Sequence, residues 1–154
     1  MTINELMQKP EIDSNIKLRE AYLQFEKLLS ELRKRELPDS LLISINKDIE
    51  ELNSSSSSGD KLRKMVKDKQ TGILKVLEKD LKLVPQNYYR NIWLAVGMSA
   101  FGIPLGVAIG VSLKNMAFIG IGLPIGLPIG ILVGTRMDKK AFKEGRQLDL
   151  EIKY

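Results

Sequence analysis

The chain has 154 residues and a formal net charge of +5, with 24 Lys and Arg against 19 Asp and Glu. It contains no cysteine and no histidine, which excludes disulfides and the usual Cys/His zinc sites and removes the commonest general acid–base residue. Basic residues alternate with acidic ones, which argues against nucleic acid as a partner, and we expect no catalytic, cofactor-binding or metal-binding residues.

The first half of the chain is charged and has helical periodicity. Residues 13–36 are predicted to form a helix, because apolar residues recur at alternating spacings of four and three. These are Leu18, Tyr22, Phe25, Leu29 and Leu32. Pro38 ends this helix, and residues 40–53 repeat the pattern. The short connection between the two predicts an antiparallel helical hairpin.

A polar linker, "NSSSSSGD" at residues 53–60, separates these helices from a third predicted helix at 60–84. Lys69 and Gln70 interrupt the apolar face of this third helix. We interpret residues 1–84 as a cytoplasmic helical region, coiled-coil-like or three-helical. Its apolar stripes fit either a core or a surface for a cytoplasmic protein partner or for oligomerisation.

Two uncharged segments follow and predict a transmembrane hairpin within residues 85–136. Residues 91–113 and 116–135 carry no charge, and Lys114 lies between them. At about 1.5 Å per residue, either segment spans a hydrocarbon core of about 30 Å. A turn this short makes the two spans antiparallel. The fold class is therefore predicted as all-α, a cytoplasmic helical unit followed by a two-helix transmembrane hairpin in the lipid bilayer.

The basic residues predict that both termini are cytoplasmic. Residues 71–90 contain four Lys and Arg and residues 136–154 contain six, whereas the turn has only Lys114. Aromatic and basic side chains at both ends of the hairpin are predicted to lie at the membrane interface, and Asp138 is expected to pair with a nearby cation. These interface residues are Tyr88, Tyr89, Arg90, Trp93, Arg136, Lys139 and Lys140. Residues 137–154 are predicted to be a basic cytoplasmic tail.

Glycines recur every fourth residue in both spans and predict close helix packing. They are Gly102, Gly106 and Gly110 in the first span, and Gly122, Gly126, Gly130 and Gly134 in the second. Small residues at this spacing let two backbones approach in lipid. The hairpin is expected to close glycine to glycine, to pack on copies of itself, or both.

Three prolines follow glycines by two residues and fall on the opposite helix face. Pro104, Pro124 and Pro128 each remove a backbone hydrogen bond, so they are predicted to kink the helices.

The second span and the tail "TRMDKKAFKEGRQLDL" resemble small bacterial glycine-zipper-like membrane proteins, over about residues 91–150. The resemblance implies a bacterial inner-membrane protein and brings no assigned activity. It does not extend to residues 1–84.

Two functions fit these features. The first is a non-enzymatic inner-membrane protein that self-associates as a homo-oligomer through its glycine faces and presents a cytoplasmic interaction module. The alternative is an oligomeric pore or channel former, of the holin-like, toxin or effector type. A selective ion pathway usually shows polar or charged residues inside, and the spans have few, which favours packing.

Overall fold

A computed structural model describes residues 2–12 and 15–152. The chain divides into two compact units, one formed by Met1–Leu83 with Ile152–Tyr154 and the other by Val84–Glu151. Residues 13 and 14, where the first helix was predicted to begin, and the last two residues of the tail lie outside the described residues.

In the described residues of the first unit, three α-helices follow a short 3-10 helix at Pro10–Ile12. They are α1 (Ile16–Arg33), α2 (Asp39–Ser54) and α3 (Gly59–Val76), and α3 continues into a wide π-helical turn at Leu77–Leu81. The side chain of Asn15 caps α1 by accepting from the Leu18 N–H at 3.1 Å. Helix α3 packs on both α1 and α2. The antiparallel coiled coil of the first two helices stays a prediction.

The predicted apolar stripes supply the core of this unit. Its fully buried large side chains include Leu18, Phe25, Leu29, Leu32, Ile45, Ile49, Leu52 and Leu62. The two residues that interrupt the predicted apolar face, Lys69 and Gln70, lie in different environments. Gln70 is 3% exposed in the core, while Lys69 reaches α2 and pairs with Asp48 at 2.8 Å and with Glu51.

Replacing Lys69 by methionine is expected to flatten the dependence of stability on pH. The hydrogen bond and charge of Lys69 lower the pKa of Glu51, and hydrogen bonds to Asp48 and Glu51 raise the pKa of Lys69. Glu51 therefore contributes to the free energy of unfolding when the pH is above the ordinary carboxyl pKa, and this contribution is lost as the pH falls through the lowered pKa. The Lys69 contribution is present below the ordinary lysine pKa and lost as pH rises through the raised one.

Thermal unfolding of the full chain, followed by circular dichroism from acid to alkaline pH, measures this effect. Lys64→Met, at an exposed position of the same helix, is the control and should keep the wild-type profile. If the stability of the Lys69→Met variant changes with pH as it does in the wild type, at both acid and alkaline pH, the ion pairs of Lys69 do not contribute to stability.

The second unit consists of a helical hairpin with a strand at each end. Its elements are β1 (Val84–Gln86), α4 (Tyr88–Val96), a π-helical segment (Gly97–Gly102), α5 (Ile103–Ser112), a 3-10 turn (Met116–Phe118), α6 (Ile119–Lys143) and β2 (Gln147–Glu151). The segment Tyr88–Ser112 is continuous and is called the first apolar helix, and Met116–Lys143 is called the second apolar helix.

The two strands pair in parallel, which corrects the all-α prediction. Val84 lies opposite Gln147 and Gln86 lies opposite Glu151, with an irregularity between them. The fold is mostly helical with this small sheet added. The strands are short and lie more than sixty residues apart in the sequence, so local periodicity carried little signal for β1.

A compact turn joins the two apolar helices. Lys114 adopts φ 51°, the left-handed conformation that ends many helices, and the Asn115 N–H returns to the Gly110 carbonyl at 2.9 Å. The Asn115 side chain then accepts from the Ala117 N–H at 3.0 Å and starts the next helical turn. Two residues therefore both stop one helix and start the other.

The second apolar helix extends beyond the predicted span into the segment that was interpreted as a tail. It ends at Lys143, and Gly145 adopts φ 69° just after it. The Arg146 N–H bonds to the Ala141 carbonyl at 2.9 Å and the Gly145 N–H bonds to the Phe142 carbonyl at 3.0 Å. This is the glycine-terminated end of a helix, and it directs the chain into β2.

Candidate functional site

The two apolar helices meet through their glycines. Gly122 faces the backbone of the first apolar helix so closely that a Cβ added to it would lie 2.8 Å from the Gly106 Cα and would overlap the Gly102 carbonyl oxygen. A Cβ on Gly126 would lie 2.9 Å from the Gly102 Cα. Real Cβ atoms essentially never approach other atoms within 3.0 Å. The contact is therefore backbone against backbone, which only glycine permits.

The contact continues along the hairpin to both ends. A Cβ on Gly130 would lie 3.1 Å from the Leu94 Cα, and one on Gly134 would lie 2.8 Å from the Arg90 backbone nitrogen. A Cβ on Gly106 would overlap the Ile119 carbonyl, and Gly110 lies beside the turn. The seven glycines named from the sequence are buried within one hairpin.

Gly97 is an eighth member of this interface, and it lies outside the four-residue spacing of the other glycines. A Cβ on Gly97 would lie 2.8 Å from the Gly130 Cα. Gly97 precedes Gly102 by five residues, and the segment between them is π-helical, with one extra residue in its turn. The wider turn keeps Gly97 on the same face as the glycines that follow. In the sequence, the five-residue spacing from Gly97 to Gly102, just before Pro104, is the feature that indicates this wider turn.

The three prolines lie on exposed surface, away from the glycines. Pro104 comes just after the π-helical segment, at the start of α5. Pro124 and Pro128 lie inside α6, which remains α-helical from Ile119 to Lys143. The helix is continuous through both prolines, and the kinks predicted at Pro104, Pro124 and Pro128 stay a prediction.

The hairpin exposes its large apolar side chains and buries glycines. In their most apolar 18-residue windows, 22% of the first apolar helix and 17% of the second are buried. The exposed apolar side chains include Phe101, Ile103, Leu105, Val111, Met116, Ile121, Ile125 and Leu132. A helix in the core of a water-soluble protein is mostly buried, so this arrangement matches a lipid environment. Both helices are long and apolar enough to cross a membrane.

Asp138, near the end of the second apolar helix, forms hydrogen bonds to the start of the first apolar helix. The residue is 7% exposed, and its carboxylate accepts from the Tyr89 N–H at 3.0 Å and from the Arg90 N–H at 2.9 Å. The first N–H groups of a helix have no partner within the helix, and Asn87, at the N-cap of α4, makes no side-chain cap. Asp138 therefore caps the first apolar helix from the second. The sequence had suggested a cation as its partner.

The predicted interface residues lie on both helices around this cap. Tyr88 and Tyr89 form an edge-on ring pair with centroids 5.2 Å apart, and Trp93 is one turn further along. Arg90, Arg136, Lys139 and Lys140 are exposed. The fold therefore brings these seven residues toward one end of the hairpin.

The chain beyond the second apolar helix is tied to the same end. The Arg146 guanidinium bonds to Glu144 and Tyr89, and these hydrogen bonds raise its pKa. The Asn87 side chain donates to Glu151 at 2.9 Å, and the Gln86 side chain donates to Asp149 at 2.9 Å. These side-chain hydrogen bonds and the β1–β2 pairing thus hold the two ends of the second unit together, opposite the turn.

Across residues 2–12 and 15–152, no group of three or more Asp and Glu is placed to hold a metal ion. Comparison of the chain with protein-family models, with curated proteins and with solved structures finds no match.

Proposed function

We propose that this protein is a non-enzymatic integral protein of the bacterial inner membrane, anchored by its hairpin and presenting its first unit to a protein partner in the cytoplasm. The observation that carries the proposal is the inverted arrangement of the hairpin, with glycines inside and large apolar side chains outside. In water this exposed apolar surface would cause aggregation. In lipid it carries no such penalty, because the lipid tails are as apolar as the side chains.

The orientation follows from the charges that flank the hairpin. Arg136, Lys139 and Lys140 lie exposed at the end closed by Asp138, while the turn carries only Lys114. Basic residues are retained on the cytoplasmic side, so this end is assigned to the cytoplasm and the turn to the opposite side.

Cysteine labelling tests both the anchoring and the orientation, because the chain has no cysteine of its own. The variants carry a single substitution at an exposed position, Lys114→Cys in the turn, Phe142→Cys beyond the cap, or Ser56→Cys in the first unit. A membrane-impermeant maleimide applied to intact spheroplasts is expected to label only the Lys114→Cys variant. Lysis should expose the other two cysteines.

Two other outcomes would overturn the proposal. Labelling of Phe142→Cys and Ser56→Cys in intact spheroplasts, with Lys114→Cys protected, would invert the orientation. Release of the protein from membranes by alkaline carbonate would show that the hairpin does not span the bilayer.

We also propose that copies associate in the membrane. Within one chain the glycine face of each apolar helix covers the other, so association through these glycines requires two chains to exchange a helix. The pore former remains the competing function. Dye-loaded vesicles at high protein density distinguish the two, since a packed hairpin leaves them sealed and a pore empties them.

A further inference from the structure

Four basic side chains share one side of the second apolar helix, at the end where Asp138 caps the first. They are Arg136, Lys139, Lys140 and Lys143, and all four are exposed. Residues spaced i, i+3, i+4 and i+7 lie on the same side of an α-helix. The exposed Leu132 comes one turn before Arg136 on that side. These four basic residues are called the basic face.

The acidic side chains of the second unit bind other partners. Asp138 faces the first apolar helix and accepts from its main-chain N–H groups. Glu144 is bonded by the Arg146 guanidinium at 2.8 Å. Asp149 and Glu151, in β2, accept from side-chain amides at 2.9 Å. The carboxylates of this unit therefore leave the basic face largely uncompensated.

Most of the basic face has no ionic partner. Lys140 lies 3.9 Å from Glu144, and in the residues that the structure describes the other three members form no ion pair. Arg90, exposed on the first apolar helix, forms none there either, and its backbone packs on Gly134. It adds a fifth cation at the same end of the hairpin. Like charges three and four residues apart on a helix repel each other, so an anion from outside the chain stabilises this end.

The position of the basic face along the helix favours lipid as the source of that anion. Leu132 is 61% exposed and belongs to the apolar outer surface of the hairpin. Arg136 follows it by about 6 Å along the helix axis, and Lys143 by about 16.5 Å. The headgroup layer on each side of a bilayer is about 5–8 Å thick, and long basic side chains extend toward it. A soluble acidic partner would first have to displace these headgroups.

We propose that the basic face and Arg90 bind the phosphate groups of anionic phospholipids, which gather around this end of the hairpin. The inference rests on the membrane location proposed above and adds the headgroup chemistry. Guanidinium and ammonium groups form charge-assisted hydrogen bonds with phosphate oxygens. In a zwitterionic lipid a cation next to the phosphate opposes this binding, so a headgroup with net negative charge is preferred.

Quenching of Trp93 measures which lipid surrounds this end. Trp93 is the only tryptophan and lies one turn from Arg90. The full-length protein is reconstituted in bilayers of phosphatidylcholine and phosphatidylglycerol, with bromine on the acyl chains of one lipid and then of the other. Both leaflets have the same composition, so the orientation of the protein does not affect the result.

We expect phosphatidylglycerol to be preferred at least about five-fold, which is the effect of a single Lys or Arg at an anionic surface. The preference should fall as salt is raised from about 0.1 M to about 1 M, because the screening length shortens from about 10 Å to about 3 Å.

A variant with glutamine at all four positions of the basic face should lose most of this preference. It keeps Asp138 and therefore the cap of the first apolar helix. A second variant, with Lys139→Arg, Lys140→Arg and Lys143→Arg, keeps the charge and should keep the preference. The matched control has the same change in net charge at exposed positions of the first unit and should behave as wild type. Its substitutions are Lys17→Gln, Arg19→Gln, Lys61→Gln and Lys64→Gln.

Three results contradict the proposal. The first is equal quenching of the wild type by the two brominated lipids. The second is a loss of preference in the first-unit control as large as in the basic-face variant, which would assign the effect to net charge. The third is loss of the preference when inorganic phosphate replaces chloride at equal ionic strength, which would indicate a site for a free anion. Quenching by neither lipid would instead contradict the membrane anchoring itself, so the two failures are distinguishable.

Discussion

The Gly122→Ala variant is expected to lose the closed hairpin. The new methyl group would lie 2.5 Å from the Gly106 nitrogen and 2.8 Å from the Gly106 Cα. These are backbone atoms, so no rotamer change can relieve the clash and the helices must separate. Overpacking of a well-packed interface costs about 1–3 kcal/mol, and a backbone clash is expected at or above the upper end of this range.

Gly120→Ala is the matched control, two residues away in the same helix. A Cβ on Gly120 meets nothing within 4 Å, and the residue is exposed. Alanine favours a helix over glycine by about 0.5–1 kcal/mol, so this variant should be neutral or slightly more stable. Equal stability of Gly122→Ala and Gly120→Ala would refute the glycine interface.

Trp93 provides the measurement. It is the only tryptophan in the chain, and its backbone contacts Gly130 of the second apolar helix. Its fluorescence during a denaturing-detergent titration in micelles gives the free energy of hairpin opening. The size of the protein in mild detergent, measured on the same samples, shows whether opening the hairpin also changes self-association. A Gly126→Leu, Gly130→Leu double variant with unchanged size would exclude association through these glycines.

The Asp138→Ala variant is expected to destabilise the hairpin by about 2–3 kcal/mol. The substitution removes the side chain that caps α4 and leaves the Tyr89 and Arg90 N–H groups without their carboxylate. Hydrogen bonds to a charged group contribute about 1.5–3 kcal/mol, and loss of an N-cap costs about 0.5–2 kcal/mol. The carboxylate also interacts favourably with the positive end of the helix dipole, which adds to the loss.

Two further variants show that the effect comes from capping. Asp138→Asn retains one acceptor oxygen and should lose about half as much stability. Lys139→Ala changes an exposed charge next to the cap and should stay within about 0.5 kcal/mol of wild type. The same Trp93 titration compares all three. A loss in Lys139→Ala as large as that in Asp138→Ala would mean that net charge at the interface, and not the cap, stabilises this end.

Several features of the molecule could be predicted from the sequence because they depend on local periodicity. The apolar faces of α1, α2 and α3, the presence of two long apolar helices and the turn at Lys114 belong to this class. An α-helix fixes which residues share a face, so the four-residue glycine repeat could be placed on one side of the second apolar helix before its partner was known.

The partners of these faces depend on long-range contacts, which the tertiary structure decided. A glycine stripe fits its own hairpin partner or another copy equally well, and the structure pairs the two stripes within one chain. It also brings Gly97 into the interface through a π-helical turn and joins Asp138 to N–H groups 48 and 49 residues away. Main-chain N–H groups leave no signature in a sequence, so the tertiary structure alone decides that Asp138 caps the first apolar helix and that Asn46 and Asn53 bind the main chain of residues 2–7.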